Sequence, residues 1–364
     1  MSRTCVGVAY RHWAMRISTQ RISLTKRHPL TISRGTITGS VNVVVSVEHD
    51  GITGLGEMAP SDVTGDSTDR AEMLLGSWAD DLATLAPHEF DQIAAIVGEA
   101  GPAARAALDL ACHDWLGKRT NLPVWRLFGV DRSRTVPTSV TIGIDSEAVI
   151  AAKVPEILNR TNARILKVKL GQPAGIESDQ AMFVYVQEAA AEIGASPMWR
   201  VDANGGWSVA GARVMIPWLE ARGVDMVEQP LAQGSESELG AVCEVARVPL
   251  FLDESIRTSA DVVRFAPLVD GVNLKLMKCG GLREALRIVH TARAHGLQVM
   301  IGCMGESSLA ISGGAQISGL MDAIDLDSHL NLMDDPFDGA WFVDGRVLPN
   351  DRPGLGALWK GAAT

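Results

Sequence analysis

The chain has 364 residues, 46% of them hydrophobic and 21% charged, with 36 glycines; this composition excludes the disordered and fibrous classes and supplies material for a sizeable core. Its formal charge of −10 excludes nucleic acid or an anionic membrane as the main partner, since both need a basic footprint, though it leaves a local basic pocket open. The five cysteines, Cys5, Cys112, Cys243, Cys279 and Cys303, are odd in number, scattered and without CxxC spacing, and the start "MSRTCVGVAYRHWAMRIS" has no apolar leader; together these predict reduced thiols in a cytoplasmic protein.

In chain order, residues 1–130 read as strands followed by helices, an α+β unit. "SVNVVVSVEHDG" and "ITGLGEMAP" form a hairpin about an Asp-Gly turn. Leu75, Trp78, Leu82 and Leu85, and then Leu108, Ala111, Cys112 and Trp115, recur at helical steps. From 131 to 333 short apolar strands alternate with helical stretches, and the expected strand ends are Thr141, Lys169, Asp202, Glu228, Asp253, Lys278, Cys303 and Asp325, 22 to 33 residues apart. Eight strands with a helix-sized gap between each pair predict an α/β (β/α)8 TIM barrel. An open doubly wound sheet shares the alternation, but only a barrel gathers the charged ends of strands two to six at one mouth. The segment 334–364, with "GAWFVDGRVLPNDRPGLG", reads as a last strand pair packing back on the first domain.

Asp202, Glu228 and Asp253 each close an apolar strand on consecutive units. One such acid alone reads as a helix cap or surface charge. Three converging at a barrel mouth need a cation, and an all-oxygen set suits Mg2+, with Mn2+ as a substitute. Lys169 and Lys278, on the second and sixth strands, flank that metal site from opposite sides. A lysine near a cation in a low-dielectric site has its pKa pulled down and serves as a base. Two such groups allow a proton to leave one face of a carbon and return on the other, as in a racemase or epimerase. Lys167 shares the face of Lys169 in "KVK", where it lowers its neighbour's pKa and holds a substrate carboxylate. A solvated surface strand is the plainer reading of "KVK"; Lys278 opposite argues against it.

"KVK", "DAN", "EQP", "DES" and "KLMKCGG", in this order, resemble the enolase superfamily in its muconate lactonizing enzyme-like branch. The resemblance covers nearly the whole chain, since "GLGEMAP" and "ARAALDLACHDWLGKRTNLPVWRLFG" are similar to the family's capping domain and first barrel helix region. It implies an α+β cap over a modified (β/α)7β barrel, and abstraction of a proton α to a carboxylate with help from Mg2+. It also implies Asp202, Glu228 and Asp253 as ligands and Lys169 and Lys278 as the acid/base pair. The chain departs from mandelate racemase-like members, because "LQVMIGCMGESS" carries no histidine and His295 lies in the preceding turn; the enolase-proper and sugar acid dehydratase readings weaken with it.

On the eighth strand, "AIDLDSHL" places Asp325 and Asp327 on one face, two anions suited to a substrate ammonium. Sequences similar to this one with that pair are dipeptide epimerases. By that resemblance Thr141, Lys167, Cys303, Asp325 and Asp327 contact the dipeptide, the two aspartates holding its N-terminal ammonium. Arg34, in "TISRGT", faces the side chain of the C-terminal residue, where its fork fits a glutamate carboxylate. Cys303 as a nucleophile lacks a histidine partner. The expectation is a Mg2+-dependent dipeptide epimerase, with L-Ala-L-Glu and L-Ala-D-Glu as the pair and peptidoglycan peptide recycling as the role the family suggests. The alternatives are N-acylamino acid racemisation, o-succinylbenzoate synthesis or muconate cycloisomerisation, and, outside catalysis, a metal-dependent binding protein. Whether the chain forms a homo-oligomer is left open.

Overall fold

The computed structural model describes residues 14–361; Cys5 and most of the leader stretch read above lie outside the described residues. The chain begins with an antiparallel meander of β1 (Arg16–Ile32), β2 (Gly35–His49) and β3 (Ile52–Met58). The β2–β3 turn has positive φ at both Asp50 (50°) and Gly51 (73°), the conformation a two-residue hairpin demands and Asp-Gly supplies. Between Thr25 and Leu30 the β1–β2 register shifts. This irregularity carries the hairpin tip over the barrel mouth.

Three helices follow: α1 (Thr68–Leu82), α2 (Phe90–Val97) and α3 (Pro102–Thr120). Ser67 caps α1, which buries Ala71, Leu75, Trp78 and Leu82; Leu85, expected on the same face, lies past the end of the helix. α3 packs against β3 at unusually short range. A Cβ at Gly54 or Gly56 would stand 2.0 or 1.9 Å from the carbonyl oxygens of Ala111 and Ala107, so the glycines of "GLGE" exist for this backbone approach.

A short α4 (Val124–Leu127) leads into the barrel, whose parallel strands are β4 (Ser139–Ile142), β5 (Ile165–Lys169), β6 (Met198–Asp202), β7 (Val224–Glu228), β8 (Leu250–Leu252), β9 (Gly271–Lys275), β10 (Gln298–Gly302) and β11 (Ala323–Asp325). They are hydrogen-bonded in sequence order, and a Thr138–Ile324 bridge joins the last to the first. The intervening helices are α5 (Glu147–Thr161), α6 (Ile176–Glu192), α7 (Val209–Glu220), α8 (Leu239–Cys243), α9 (Ser259–Phe265), α10 (Leu276–Cys279) with α11 (Leu282–Ala294), and α12 (Ser308–Ala315). After β11 comes only a 3-10 turn, Ser328–Asn331, so the barrel is the (β/α)7β form. Among the described residues no helix is long and apolar enough to cross a membrane.

Inside the barrel, Met226, Phe251, Met300 and Ala323 form an apolar plug. Successive inward positions lie two residues apart, which brings Lys167, Glu228, Asn273 and Asp325 into a polar layer above it. The sixth strand departs from its expected end. Its pairing with β10 stops at Lys275 opposite Gly302, and the chain then coils into α10, closed by Gly280 and Gly281 at φ 91° and 117°. Lys278 is therefore on a helical turn, not at the strand end.

The C-terminal segment contains the expected strand pair, β13 (Trp341–Val343) with β14 (Arg346–Leu348), enclosed by β12 (Phe337–Asp338) paired with β15 (Leu358–Trp359). It meets both parts of the molecule: Leu355 N donates to Asp114 of α3 at 2.7 Å, and Thr138 N donates to Gly345 O at 2.8 Å. A separate tie fixes the cap to the barrel. Glu57 of β3, fully buried, accepts from Ser307 N (2.9 Å), Ser307 Oγ (2.5 Å) and Ala310 N (3.0 Å) at the start of α12, while Asn42 Nδ2 donates both to Glu57 and to Gly305 O. A carboxylate at a helix N-terminus satisfies amides that have no intrahelical acceptor.

Candidate active site

Asp202 and Glu228 are opposite partners at the ends of β6 and β7, and Asp253 follows β8 directly. One carboxylate oxygen from each lies within 4.8 Å of the others, and all three side chains are buried. The neighbouring motif residues hold them in place. Asn204 N and Nδ2 donate to Asp202 (2.8 and 3.1 Å), Gln229 Oε1 accepts from Asp253 N (2.8 Å), and Asn273 Nδ2 donates to Glu228 Oε1 (2.8 Å). Thus "DAN", "EQP" and "DES" are acid-and-clamp units, with Asn204 and Gln229 bent to φ 44° and 39°.

Glu228 Oε2 has no hydrogen-bond partner among the described residues, although Lys167 Nζ comes within 2.7 Å of it without hydrogen-bond geometry. Burial, joined by the charge of Asp202, pushes the Glu228 carboxyl up to about 8. Burial alone would raise Asp202 as well, but Lys169 and Lys167 outweigh it and hold that carboxyl at about 2. An orphan oxygen in a buried set of three hard donors fits a divalent cation of the Mg2+ type.

Lysines surround the acids. Lys169 Nζ is 2.5 Å from Asp202 Oδ2, and Lys275 Nζ is 2.7 Å from Asp253 Oδ2. Both ammonium groups line the same cavity, approaching from strands on either side of the three acid-bearing ones. Lys275 was missed in the sequence. Its signal was the Asn273–Lys275 alternation in "VNLK", which matches Lys167–Lys169 in "LKVK".

Two expected positions are corrected. Lys278 does not reach the cavity: its ammonium is fully buried and donates to Asp253 O, Asp253 Oδ1 and Asn273 O. The turn of α10 points it behind Asp253, where burial lowers its pKa against the pull of that carboxylate. Lys167 is fully buried too, at 2.7 Å from Glu228, 2.8 Å from Asp325 and 3.3 Å from Asp202. It is the counter-ion of the acid layer rather than part of the cavity wall. At Lys275, in contrast to Lys278, Asp253 raises the pKa in spite of burial.

On the other side of the mouth, Asp325 is buried and occupied by Ser139 Oγ (2.6 Å) and Lys167, whereas half-buried Asp327 accepts from Thr141 N at 2.6 Å. Cys303 Sγ is 3.8 Å from Asp327 Oδ1; burial, with Asp327 nearby, pushes the thiol well up, which leaves no thiolate nucleophile. Thr141, Cys303, Asp325 and Asp327 all line the cavity. Arg34 lines its second lobe, a space of about 410 Å3 with Ile32, Ile37, Pro60 and Val63 in its walls. Its guanidinium is engaged, however, with Glu254 at 2.9 Å and Asn204 O at 3.1 Å.

Two family models match the chain: the mandelate racemase / muconate lactonizing enzyme N-terminal domain over residues 16–129, and the enolase C-terminal domain-like model over 149–363. A protein of Roseobacter litoralis described as a hydrophobic dipeptide epimerase is 49% identical, over 94% of this chain and 99% of its own. The L-Ala-D/L-Glu epimerase of Bacteroides thetaiotaomicron is 35% identical over 92% of this chain and 85% of its own. Among solved structures, a dipeptide epimerase from Enterococcus faecalis in complex with Mg and L-Leu-L-Tyr superposes with a TM-score of 0.87 at 29% identity, covering 94% of this chain and 99% of that one.

Proposed function

The chain belongs to the mandelate racemase / muconate lactonizing enzyme family of the enolase superfamily, and from that premise we propose that it is a Mg2+-dependent dipeptide epimerase acting at the α-carbon of the C-terminal residue. The observation that carries this reading is the pair of amines, Lys169 and Lys275, facing one cavity from the two flanks of the acid cluster.

Asp202, Glu228 and Asp253 are the metal ligands. Bound there, Mg2+ supplies the positive charge that draws a substrate carboxylate into the site and acidifies the carbon beside it. Lys169, neutral, takes the proton from one face, and Lys275, as ammonium, returns one to the other; the reverse direction exchanges their protonation states. Lys278 and Lys167 act by holding Asp253, Glu228 and Asp325 in place. Asp327, with Asp325 behind it, receives the N-terminal ammonium, a cation that acylated and amine-free substrates lack.

The side chain of the C-terminal residue lies in the lobe beside Arg34. L-Ala-D/L-Glu remains one reading, with Arg34 leaving Glu254 to take the glutamate. The Arg34–Glu254 pair and the apolar wall of Ile32, Ile37 and Val63 favour a second, an apolar residue. The four described cysteines are free, which supports the cytoplasmic location we assign, where peptides from peptidoglycan turnover are one source of Ala-Glu.

The test is incubation with Mg2+ in D2O against mixed L,L-dipeptide libraries. Deuterium at the C-terminal α-carbon together with the L,D product is expected. Exchange confined to N-acylamino acids would replace this reading with the racemase alternative, and no exchange with any substrate would leave a metal-dependent binding protein.

A further inference from the structure

The two lobes of the cavity share a narrow waist formed by Lys26, Leu30, Lys169, Lys275, Cys303 and Met304. Lys26 is the one of these that the chemistry above does not use and that carries a charge. It lies on β1 at the register shift, its backbone bridged to Leu332 across the cap–barrel seam, and it is only 7% exposed. The other cations lining the two lobes are paired with acids: Lys153 with Asp145, Arg160 and His28 with Glu156, Arg34 with Glu254, Lys169 with Asp202, and Lys275 with Asp253. Lys26 makes no such pair among the described residues. Asp327 is the anion whose charge it feels, and burial lowers its pKa against that charge.

An ammonium on a largely buried lysine at the cavity wall, with no acid partner, is costly unless an acceptor arrives. The position of the waist identifies that acceptor. If the substrate ammonium is at Asp327 and the reacting α-carbon between Lys169 and Lys275, the peptide group joining them spans the waist, because consecutive Cα atoms are about 3.8 Å apart across a trans peptide. We propose that Lys26 is a substrate-recognition residue that donates a hydrogen bond to the peptide carbonyl oxygen of the bound dipeptide. This rests on the dipeptide reading. It adds a distinction that the metal and the aspartate pair cannot make, since a free amino acid or an amine-bearing acid without an amide offers no acceptor at the waist.

The experiment compares wild type with Lys26→Met, holoenzyme with Mg2+, on an L,L-dipeptide that wild type turns over and on the same dipeptide with a thioamide in place of the amide, whose sulfur is a poor acceptor. For the amide, Lys26→Met is expected to lower kcat/KM roughly 10- to 100-fold, the worth of one hydrogen bond to a charged group. For the thioamide the two proteins should differ by less than about threefold. Removal of an unpaired buried charge should leave the thermal midpoint unchanged or raised, and Lys26→Arg, which keeps a charged donor, should recover part of the rate on the amide. Equal rates for wild type and Lys26→Met on the amide, or an equal loss on amide and thioamide, overturn the assignment while the dipeptide reading stands. So does a loss confined to dipeptides with an acidic N-terminal side chain, which would make Lys26 a reader of that side chain. Wild type that exchanges no dipeptide overturns both.

Discussion

Replacing Lys275 by Met removes one of two amines that reach the cavity and leaves Lys169 on the other flank. A positioned general acid or base is worth about 10^2–10^4 in rate, equivalent to roughly 3–5 kcal/mol of barrel-mouth catalysis at 1.36 kcal/mol per tenfold. Epimerisation should therefore fall by at least two orders of magnitude. Proton exchange should not fall evenly: from the epimer whose α-hydrogen faces Lys169, solvent deuterium still enters, and from the other it does not. Lys169→Met should give the mirror pattern. Lys278→Met is expected to behave differently, because that ammonium satisfies two buried carbonyl oxygens and Asp253. Each carbonyl left unpaired costs roughly 1–3 kcal/mol, so the thermal midpoint drops and both epimers lose exchange alike through a displaced metal ligand. The assay is loss of the α-proton NMR signal in D2O, followed separately from each purified epimer. One-sided exchange in Lys278→Met, or equal loss from both sides in Lys275→Met, would refute the assignment of Lys275 as the second base.

Asp327→Asn removes the charge from the half-buried carboxylate at the far lobe while keeping its acceptor for Thr141 N. KM for dipeptides should rise about 10- to 100-fold with a smaller change in kcat; an unaltered KM would remove the ammonium site. Glu306, buried beside the β10 loop where it accepts from Met304 N, has its carboxyl pushed up to about 8 by burial. Because the folded state then holds a proton that the unfolded chain releases near pH 4.3, this contribution is complete in acid. It is lost progressively as pH rises from about 4.5 to about 8, and is flat beyond. Chemical denaturation across that range at saturating Mg2+ should show wild type losing a few kcal/mol relative to Glu306→Gln, and parallel pH profiles would contradict a raised Glu306.

The acids at the strand ends were legible because a charge closing an apolar run is conspicuous, and three in successive units have no bland explanation as a set. The barrel itself followed from the regular spacing of those ends. What escaped was register. Lys275 and Lys278 both lie in "KLMKCGG", and only the end of pairing at Gly302 and the glycine-terminated coil of α10 decide which one faces the cavity. Lys167 was placed on the correct face, but its depth depends on Glu228 and Asp325 from strands far along the chain. The pairing of Arg34 with Glu254 joins cap to barrel over a long separation, so no local pattern announces it. Lys26 gave no signal either, because its burial comes from the seam with Leu332.

The bond between Glu57 and the start of α12 and the contacts of the hairpin tip hold the cap to the barrel in two different ways. The cap's root is bolted to the barrel by three hydrogen bonds to one buried carboxylate, and any change there would loosen the wall that carries Cys303 and Met304. Its tip, from Lys26 to Ile37, hangs over the mouth on separate ties: His28 to Asn331 and Glu156, Thr31 O to Ile144 N, and Ser33 and Arg34 to Asn204 and Glu254. New selectivities can thus be written into the overhang at side chains such as Ile32 and Ile37, which line the lobe, whereas Ser33 and Arg34 reach Asn204 and through it Asp202.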